Sequence, residues 1–505
     1  MFDLTGAKVL LDAGLLRPTR PDRLLGMGLA LARWGVSPAT GYAAQAARQP
    51  PAVALVDDDG PLTFREVDAA THRAAAALSE RGVMSGDPVG LLARNGRGFV
   101  ISTVALAKLG ADVYYLNTGA APEQMGAVLA REGARLVVHD ADLVPPPGVT
   151  AVTTDDLLTA QPTARGPLRA TRSSRQVILT SGTTGAPRGA ARSGAGVEEL
   201  VSALSRIPLR AGETTVVAAP VFHAWGLGHL TLAMVLGSTV VLPRRFDAEQ
   251  VLRLLEQHRA STLVVVPVML DKLLAADPSR FDLSSLRVIA SSGSALPGDL
   301  ATRVEAAFGP VLYSLYGSTE VAYAAVATPE DLRADPHTAG RAPHGVTLRV
   351  VDGEGRDCPP GAEGRIFVGS GLTFGGYTDG SDKDRLDGLV ATGDLGVLDG
   401  SGRLTVLGRT DDMVVVGGEN VHLGQVEEAL LAHPHVTEVS VSGRPDPSYG
   451  VVLVAHVVLS AEVPTEELQE QVRGRLARFA VPREVRVVDA LPRNATGKVV
   501  KSELA

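Results

Sequence analysis

Short β-branched runs alternate with longer helix-like stretches from Pro88 to Leu315, and this alternation constrains the fold of the 505-residue chain more than any other feature. Strands and helices that alternate in this way build parallel sheets covered by helices. The sequence therefore predicts an α/β fold with parallel sheets in this region. The strand-like runs are Val89–Leu92, Val113–Leu116, Leu136–Val138, Val177–Thr180, Thr215–Ala218, Val240–Leu242, Leu263–Val266 and Val288–Ala290.

The rest of the chain predicts two further units. Between about residues 346 and 406 the runs shorten and Asp-Gly turn signals crowd together, which favours a small β-rich subdomain. After Arg409 the pattern restarts as a compact α+β unit that could move relative to the rest, with a helix-like Thr465–Phe479. A single core rarely grows beyond about 250–300 residues. We therefore expect a large N-terminal domain at 1–408, a hinge at 409–412 and a mobile C-terminal domain at 413–505.

Composition excludes several classes of protein. The formal net charge is −8, and no dense basic stripe is present, which argues against nucleic acid as a main partner. Cys358 is the single cysteine, so a disulfide framework or a cysteine-rich metal site is impossible. At 45% hydrophobic residues, the chain is able to bury a large core.

The N-terminus lacks a secretory pattern, because apolar stretches such as Leu24–Ala32 are interrupted and no small-residue cleavage site follows. We expect a cytoplasmic enzyme without a transmembrane segment. A helix packed on the body is the favoured interpretation of this segment. Because Arg20, Arg23 and Arg33 surround it, peripheral contact with a membrane surface is the alternative.

The segment Ile178–Gly189 passes from an apolar run into a loop of hydroxyls and glycines that ends in a cation. Glycines let backbone N–H groups approach oxyanions closely, and hydroxyls and a guanidinium add donors and positive charge. Pro187 and Ala190 stand where a Walker A loop would need a second glycine, so the segment is not a Walker A loop. We expect another kind of phosphate-binding loop, and a flexible linker is the alternative. Its candidate residues are Thr180, Ser181, Gly182, Thr183, Thr184, Gly185 and Arg188.

Together with five further motifs, the loop resembles the signature series of the adenylate-forming superfamily of acyl-CoA synthetases, adenylation domains and luciferases. The resemblance covers nearly the whole chain, and the motifs occur in the family's order. The five motifs are Tyr316-Gly-Ser-Thr-Glu320, Ala391-Thr-Gly-Asp-Leu395, Gly408-Arg-Thr-Asp-Asp412, Gly417-Gly-Glu-Asn420 and Pro492-Arg-Asn-Ala-Thr-Gly-Lys498.

The resemblance implies activation of a carboxylate by AMP. A carboxylate attacks the α-phosphate of ATP, and the charge that builds between the two anions calls for a metal and cationic clamps. By this resemblance Glu320 binds Mg²⁺, which prefers hard oxygen ligands, and Thr319 is a hydroxyl on the phosphate side. The implied cofactors are ATP, Mg²⁺ and coenzyme A.

The same resemblance assigns the nucleotide contacts. Tyr316 and Gly317 match the aromatic motif that stacks on adenine, and Gly293, Ser294 and Ala295 match the strand-end backbone on the other side of the base. An isolated tyrosine would as readily be a core aromatic.

The ribose contacts come from two other motifs. Asp394 matches the acid that receives both ribose hydroxyls, because one carboxylate offers two acceptor oxygens. Arg409 matches the arginine that contacts ribose and phosphate. Outside their motifs, these two residues would be read as a turn former and a surface ion-pair partner.

Lys498 resembles the lysine that neutralises charge between the carboxylate and the α-phosphate, and it lies near the end of the chain. It can enter a site on the large domain only if the domains close, which makes Asp411 the matching pivot. A later rotation of the small domain would present Gly417 and Gly418 on the CoA side.

The acid side is less specific. His223 matches an aromatic or histidine position that gates acyl entry in relatives, and a satisfied helix histidine is an equal alternative; His229 has no motif support. The pocket candidates are small or apolar, which suits an acyl chain or an aryl acid and not a charged amino acid. They are Trp225, Val266, Ser292 and Val321.

The resemblance is nearest to bacterial medium- and long-chain fatty-acid CoA ligases, so the sequence favours a fatty-acyl-CoA synthetase. An acyl-AMP ligase for a carrier protein, or an enzyme that activates another acid such as nitrite, is a second hypothesis. A third is an inactive nucleotide-binding protein, because Arg188 replaces the lysine usual in the phosphate loop. The expected partners are a small acid and CoA, and either a monomer or a homodimer is compatible with the sequence.

Overall fold

The computed structural model describes residues 4–16, 19–161, 170–180, 188–192, 197–371, 373–378, 382–410, 413–416, 419–446, 450–493 and 499–504. No helix within these ranges is long and apolar enough to cross a membrane.

The α-helices are numbered in chain order. They are Leu4–Asp12 (α1), Pro21–Trp34 (α2), Pro38–Arg48 (α3), Phe64–Glu80 (α4), Arg97–Leu109 (α5), Pro122–Arg131 (α6), Thr154–Leu158 (α7), Val197–Arg206 (α8), Ala224–Leu236 (α9), Ala248–Gln257 (α10), Pro267–Ala275 (α11), Gly298–Phe308 (α12), Pro329–Ala334 (α13), Leu423–Leu431 (α14) and Thr465–Arg473 (α15).

The strands are numbered in the same way. They are Val53–Asp57 (β1), Gly60–Thr63 (β2), Pro88–Leu92 (β3), Asp112–Tyr115 (β4), Leu136–His139 (β5), Thr150–Thr153 (β6), Gln176–Thr180 (β7), Arg188–Arg192 (β8), Thr214–Val217 (β9), Thr239–Val241 (β10), Thr262–Val265 (β11), Val288–Ser291 (β12), Leu312–Tyr316 (β13), Ala325–Ala327 (β14), Thr347–Val351 (β15), Glu363–Gly369 (β16), Arg385–Leu386 (β17), Leu389–Leu398 (β18), Leu404–Arg409 (β19), Met413–Val416 (β20), Glu419–His422 (β21), Val436–Asp446 (β22), Gly450–Leu459 (β23) and Glu484–Val487 (β24).

Two large sheets form the body. One has eight strands in the order β14-β13-β12-β11-β9-β10-β1-β2, and the other has six in the order β6-β5-β3-β4-β7-β8. Neighbouring strands in both are parallel, except at β2, β8 and β14, which pair antiparallel at sheet edges. The predicted α/β class with parallel sheets is confirmed. Both ends of each predicted strand-like run lie within one residue of the ends of an observed strand.

Apolar helices cover these sheets. Helix α5 is buried over almost its whole length, and Phe99 at its start stacks on Tyr115 of β4 with ring centroids 5.3 Å apart. Helix α4 begins with a capping box, in which the Thr63 hydroxyl and the Glu66 carboxylate each accept from the other's backbone N–H. The central strands β3, β4 and β5 of the six-stranded sheet are buried almost throughout, as is typical of parallel strands that are covered on both faces.

A third sheet is antiparallel and accounts for the predicted β-rich segment. It has the order β15-β16-β18-β17, and β19 pairs with β18. In that last pair, Asp394 lies directly opposite Arg409. Two predicted nucleotide contacts, 15 positions apart in sequence, thereby become neighbours.

The C-terminal segment contains a β20-β21 pair and a sheet of order β22-β23-β24, packed against α14 and α15. Helix α15 ends at Arg473, six residues before the predicted end, because Gly474 follows and the chain turns into a short 3-10 helix at Arg478–Ala480. His422 approaches Glu363 of the antiparallel sheet at 3.2 Å. The domain boundaries at 408 and 413 stay predictions.

Candidate active site

The site begins where three neighbouring parallel strands end. Val265 of β11 pairs with Ser291 of β12, which pairs with Ser314 of β13. The residues that follow these ends therefore converge at one edge of the eight-stranded sheet, the position where α/β folds bind ligands. They include the predicted Val266, Ser292, Gly293, Ser294, Ala295 and Tyr316.

Two glycines at this edge could not be given a side chain without strain. Gly293 has a φ of +100°, and a Cβ on it would lie 3.3 Å from Cγ1 of Val266. A Cβ on Gly317 would collide with the carbonyl oxygen of Ala322. Gly293, Ser294 and Ala295 are all exposed, so this strand end is accessible to a ligand, and at Gly293 no side chain covers the backbone.

Asp394 stands at the centre of the predicted ribose contacts. The Tyr316 hydroxyl donates to its Oδ2, and the Arg409 guanidinium lies 3.9 Å from its Oδ1. Burial raises the pKa of Asp394, and the hydrogen bond from Tyr316 and the positive charge of Arg409 act against that rise. Burial, and then the adjacent Asp394 carboxylate, raises the pKa of Tyr316. The structure therefore brings these three predicted residues together around one carboxylate.

Glu320, the predicted metal ligand, is a buried carboxylate that is only 7% exposed. Its Oε1 accepts a 2.5 Å hydrogen bond from the Tyr377 hydroxyl, and its N–H donates to Ser318 Oγ at 3.2 Å. Burial pushes the pKa of Glu320 upward, but hydrogen bonds from Tyr377 and Ser318 and the charge of Lys383 outweigh burial, so the pKa is lowered. The side chain is thus held as an anion.

An ionised, buried carboxylate fits a hard divalent cation. Among the described residues, no group of three or more His, Cys, Asp or Glu side chains forms a ready-made metal cage. Mg²⁺ keeps several waters and phosphate oxygens and draws one or two carboxylates from the protein. The donor set around Glu320 therefore fits Mg²⁺ that arrives with a nucleotide.

Tyr377 and Lys383 were missed by the sequence analysis. Lys383 Nζ donates to the carbonyl oxygen of Thr392 at 3.1 Å. Its charge helps to lower the pKa of Glu320 and opposes the rise that burial causes in the pKa of Asp394. Neither residue lies in a motif, and Tyr377 is 57 positions from Glu320. Only the fold brings them to the site, so no sequence signal would have found them.

Two of the acid-side candidates lie at the start of helix α9. His223 is the residue before its first turn, and its ring lies 4.4 Å from that of Phe222. The Trp225 indole N–H donates to the carbonyl oxygen of Val265 at 2.9 Å. This bond fixes Trp225 against the strand end that leads into Val266.

His229 lies one turn further along α9 and packs edge-on against Trp225, with ring centroids 4.3 Å apart. It is fully buried, and burial lowers its pKa to about 3, so the imidazole is neutral at pH 7. In the part of the chain that the structure describes, the buried Nε2 of His229 has no hydrogen-bond partner. Such an atom costs about 1–3 kcal/mol unless something satisfies it. Sequence analysis gave this residue no role.

The other two pocket candidates are already engaged. The Ser292 hydroxyl donates to the carbonyl oxygen of Leu315 at 2.9 Å. Val321 is fully buried in the core of the antiparallel sheet with Phe374 and Val390, a different apolar cluster from those of Trp225 and Val266. Val321 therefore packs in a different apolar cluster from Trp225 and Val266, and its place in the acid pocket stays a prediction.

Thr319, the residue before Glu320, is partly buried. Several other predicted residues lie outside the described ranges. The loop between β7 and β8 is one such segment, and the side chains of Thr180 and Arg188 at its ends belong with it. The residues concerned are Ser181, Gly182, Thr183, Thr184, Gly185, Asp411, Gly417, Gly418 and Lys498.

Family comparisons agree with this geometry. The family model described as AMP-binding enzyme matches residues 42–378, and that of the AMP-binding enzyme C-terminal domain matches residues 425–498. The first match alone spans more than half of the chain. The chain therefore belongs to the AMP-binding enzyme family, and the adenylate-forming superfamily predicted from its motifs is confirmed.

Individual relatives are ligases that act on acids. The 2-succinylbenzoate–CoA ligase of Bacillus licheniformis is 32% identical over 466 residues, which cover 90% of this chain and 97% of the relative. The indoleacetate–CoA ligase of Aromatoleum aromaticum is 32% identical over 486 residues, with 90% and 95% covered.

A solved structure of O-succinylbenzoate coenzyme A synthetase from Bacillus subtilis, in complex with ATP and magnesium ion, has a TM-score of 0.85 and 29% identity. The match covers 92% of this chain and 98% of that one. At the level of the family, the chain is an AMP-forming acid–CoA ligase, and the predicted cofactors ATP, Mg²⁺ and CoA are confirmed. Specificity for a fatty acid is not confirmed.

Proposed function

We propose that this chain joins an aromatic carboxylic acid to CoA through an acyl-adenylate. The observation that carries the choice of acid is the Trp225–His229 pair on α9, beside the strand end at Val265. An indole and a neutral imidazole offer flat faces and one polar atom, which suit an aryl ring better than a flexible alkyl chain. The named acids of the two sequence relatives, 2-succinylbenzoate and indoleacetate, support this choice.

In this proposal the AMP moiety lies along the edge formed by the ends of β12 and β13. Tyr316 and the backbone of Gly293 border the adenine. Asp394 receives the ribose hydroxyls, and Arg409 reaches from the facing strand toward ribose and phosphate. Because Asp394 is mostly buried and its carboxylate already accepts a hydrogen bond from Tyr316 beside the charge of Arg409, it is a preorganised acceptor rather than a mobile surface group.

Glu320 would hold Mg²⁺, which when bound neutralises charge on phosphate oxygens. Tyr377 positions one oxygen of this carboxylate, and Lys383 favours its ionised form. Thr319 and the phosphate loop, with Arg188, complete the phosphate side in this proposal. The guanidinium of Arg188 keeps the positive charge of the lysine that it replaces, in a planar, forked form.

The chemistry has two steps. A carboxylate oxygen of the acid attacks the α-phosphorus, the bond to pyrophosphate breaks, and acyl-AMP forms, with Lys498 neutralising charge between the two anions. The thiolate of CoA then attacks the acyl carbonyl and AMP leaves. We propose that, between the two steps, the segment 413–505 rotates about Asp411 in the hinge 409–412 and presents Gly417 and Gly418 to the thiol. His223, in the domain 1–408, would border the path by which the acid enters the site.

The test is mass spectrometry of products from aryl and alkyl acids and nitrite, with Mg-ATP, in three reactions: no acceptor, CoA, or a holo carrier protein. An aryl-CoA thioester as the main product supports the proposal. A fatty acyl-CoA product would overturn the choice of acid and restore the expectation from sequence. Adenylate that is transferred only to the carrier protein would overturn CoA as the acceptor, and no product from any acid would favour an inactive nucleotide-binding protein.

A further inference from the structure

The N-terminal helices expose an unusual concentration of apolar side chains. In the described part of the chain, fourteen large apolar residues are exposed, and eight of them lie between Leu4 and Val36. Four of the eight are on α2: Leu24, Leu25, Leu29 and Leu31, with exposed fractions of 52%, 66%, 62% and 51%. We call these four leucines the outer α2 face.

Helix geometry makes this face continuous. At 100° per residue, the four leucines fall in one arc of the helix with Gly28 and Ala32, which are also exposed. The opposite side is buried, where Ala30 and Trp34 pack in a small cluster with α3 and α5. A surface helix normally turns its apolar stripe inward and polar residues outward. Here the outward arc is apolar as well, which marks an interaction surface.

The helix that carries this face is fixed to the body of the protein. Helix α2 packs on α3, and α3 is held to the end of α9 by side-chain hydrogen bonds. Gln45 Nε2 donates to the carbonyl oxygen of Val235 at 3.0 Å, and Gln49 Nε2 donates to that of Gly237 at 2.8 Å. The leucines are therefore displayed on a rigid support next to the helix that carries Trp225.

We propose that the outer α2 face rests on an anionic lipid surface. The segment 1–50 has six Lys or Arg and three Asp residues and no Glu, whereas the whole chain has a net charge of −8. Arg20 and Arg33 stand at the two ends of α2, on opposite rims of the leucine arc. Apolar side chains flanked by arginines are the pattern of helices that lie in a membrane interface, where the charges meet lipid phosphates.

Charge also argues against a second copy of this chain as the occupant. A two-fold pairing places the same patch on both subunits, so it would bring two net-positive segments together. An acidic lipid surface complements that charge, although Asp22 already pairs with Arg20 at 3.1 Å and reduces its contribution. The proposal concerns location and does not depend on which acid the enzyme activates.

The experiment is sedimentation of the full-length protein with phosphatidylcholine vesicles, with and without 30% phosphatidylglycerol, at low and at physiological salt. We expect binding to the anionic vesicles that weakens with salt, and a loss of at least about tenfold in the bound fraction for Leu25→Glu/Leu29→Glu, because two charges must enter the interface. The matched control is Met84→Glu/Val268→Glu, at two exposed apolar positions elsewhere, which should bind as the parent does.

Unchanged thermal unfolding and AMP binding of both variants show that they fold. Absence of vesicle binding by the parent protein, or equal binding of the Leu25→Glu/Leu29→Glu variant, would overturn the proposal. So would a parent dimer in light scattering that the same variant dissociates, since the face would then be an interface between copies.

Discussion

The nucleotide side and the acid side of the site are built in different ways. On the nucleotide side, Glu320 is buried and Asp394 is mostly buried; each carboxylate accepts a hydrogen bond from a tyrosine hydroxyl and lies near a cation. On the acid side, Trp225 has its one hydrogen bond, and the buried Nε2 of His229 lacks a partner within the described chain. A buried charged group needs particular partners, so the residues around it form recognisable sequence motifs. The apolar lining of a pocket can be made from many combinations of residues. We therefore propose that the nucleotide side carries out the adenylation chemistry and that the acid side selects the substrate.

The largest expected effect comes from Glu320→Gln. Loss of the anion that would hold Mg²⁺ should lower adenylate formation by about 100- to 1000-fold, the range for removing one preorganised electrostatic contact. The loss should be equal for every acid, and pyrophosphate release measures it. The control is Glu330→Gln, the same change at an exposed position on α13, which should leave the rate unchanged.

Asp394→Asn should weaken AMP binding by about 10- to 100-fold, since hydrogen bonds to a charged group contribute about 1.5–3 kcal/mol. Calorimetric titration with AMP measures the effect, and the affinity for the acid should not change. Asp387→Asn serves as control, because Asp387 is exposed in a hairpin turn with φ of +51°, which Asn also tolerates. Equal weakening in both variants would contradict the assignment of Asp394.

On the acid side, His229→Phe keeps a ring and removes the polar atoms. We expect the ratio of kcat/KM between a polar-substituted aryl acid and its hydrocarbon analogue to fall by about tenfold, because one unsatisfied hydrogen bond is worth about 1.4 kcal/mol. The melting temperature should stay the same or rise. A fall in melting temperature with an unchanged ratio would show that His229 is only a core residue.

The smallest effect is expected for Tyr377→Phe. The hydrogen bond from Tyr377 lowers the pKa of Glu320, so its removal lets that pKa rise toward the value that burial favours. The ionised form is the active one, so the loss of rate on acidification should begin at a higher pH than in the parent. Near neutral pH the rate should fall by only about two- to tenfold. An unchanged pH–rate profile would show that Tyr377 does not influence the ionisation of Glu320.

Sequence predicted the sheets and the nucleotide motifs because both depend on local patterns. Tyr316, Glu320 and Asp394 lie in short motifs, and the β-branched runs match the observed strands. Tyr377 and Lys383 were missed because their contacts, with Glu320 and with Thr392 of β18, depend on the tertiary fold. That Nε2 of His229 has no hydrogen-bond partner among the described residues is likewise a property of packing, which sequence spacing does not encode. The predicted helix to Phe479 was too long because its amphipathic pattern continued past the break at Gly474.

The most direct test of this division is the rate of ATP–pyrophosphate exchange with an aryl acid and with an alkyl acid, in Asp394→Asn and in Trp225→Leu. Asp394→Asn is predicted to lower both rates by the same factor, whereas Trp225→Leu is predicted to change their ratio against the aryl acid. A changed ratio in Asp394→Asn, or an equal loss for both acids in Trp225→Leu, would contradict the separation of nucleotide chemistry from acid selection.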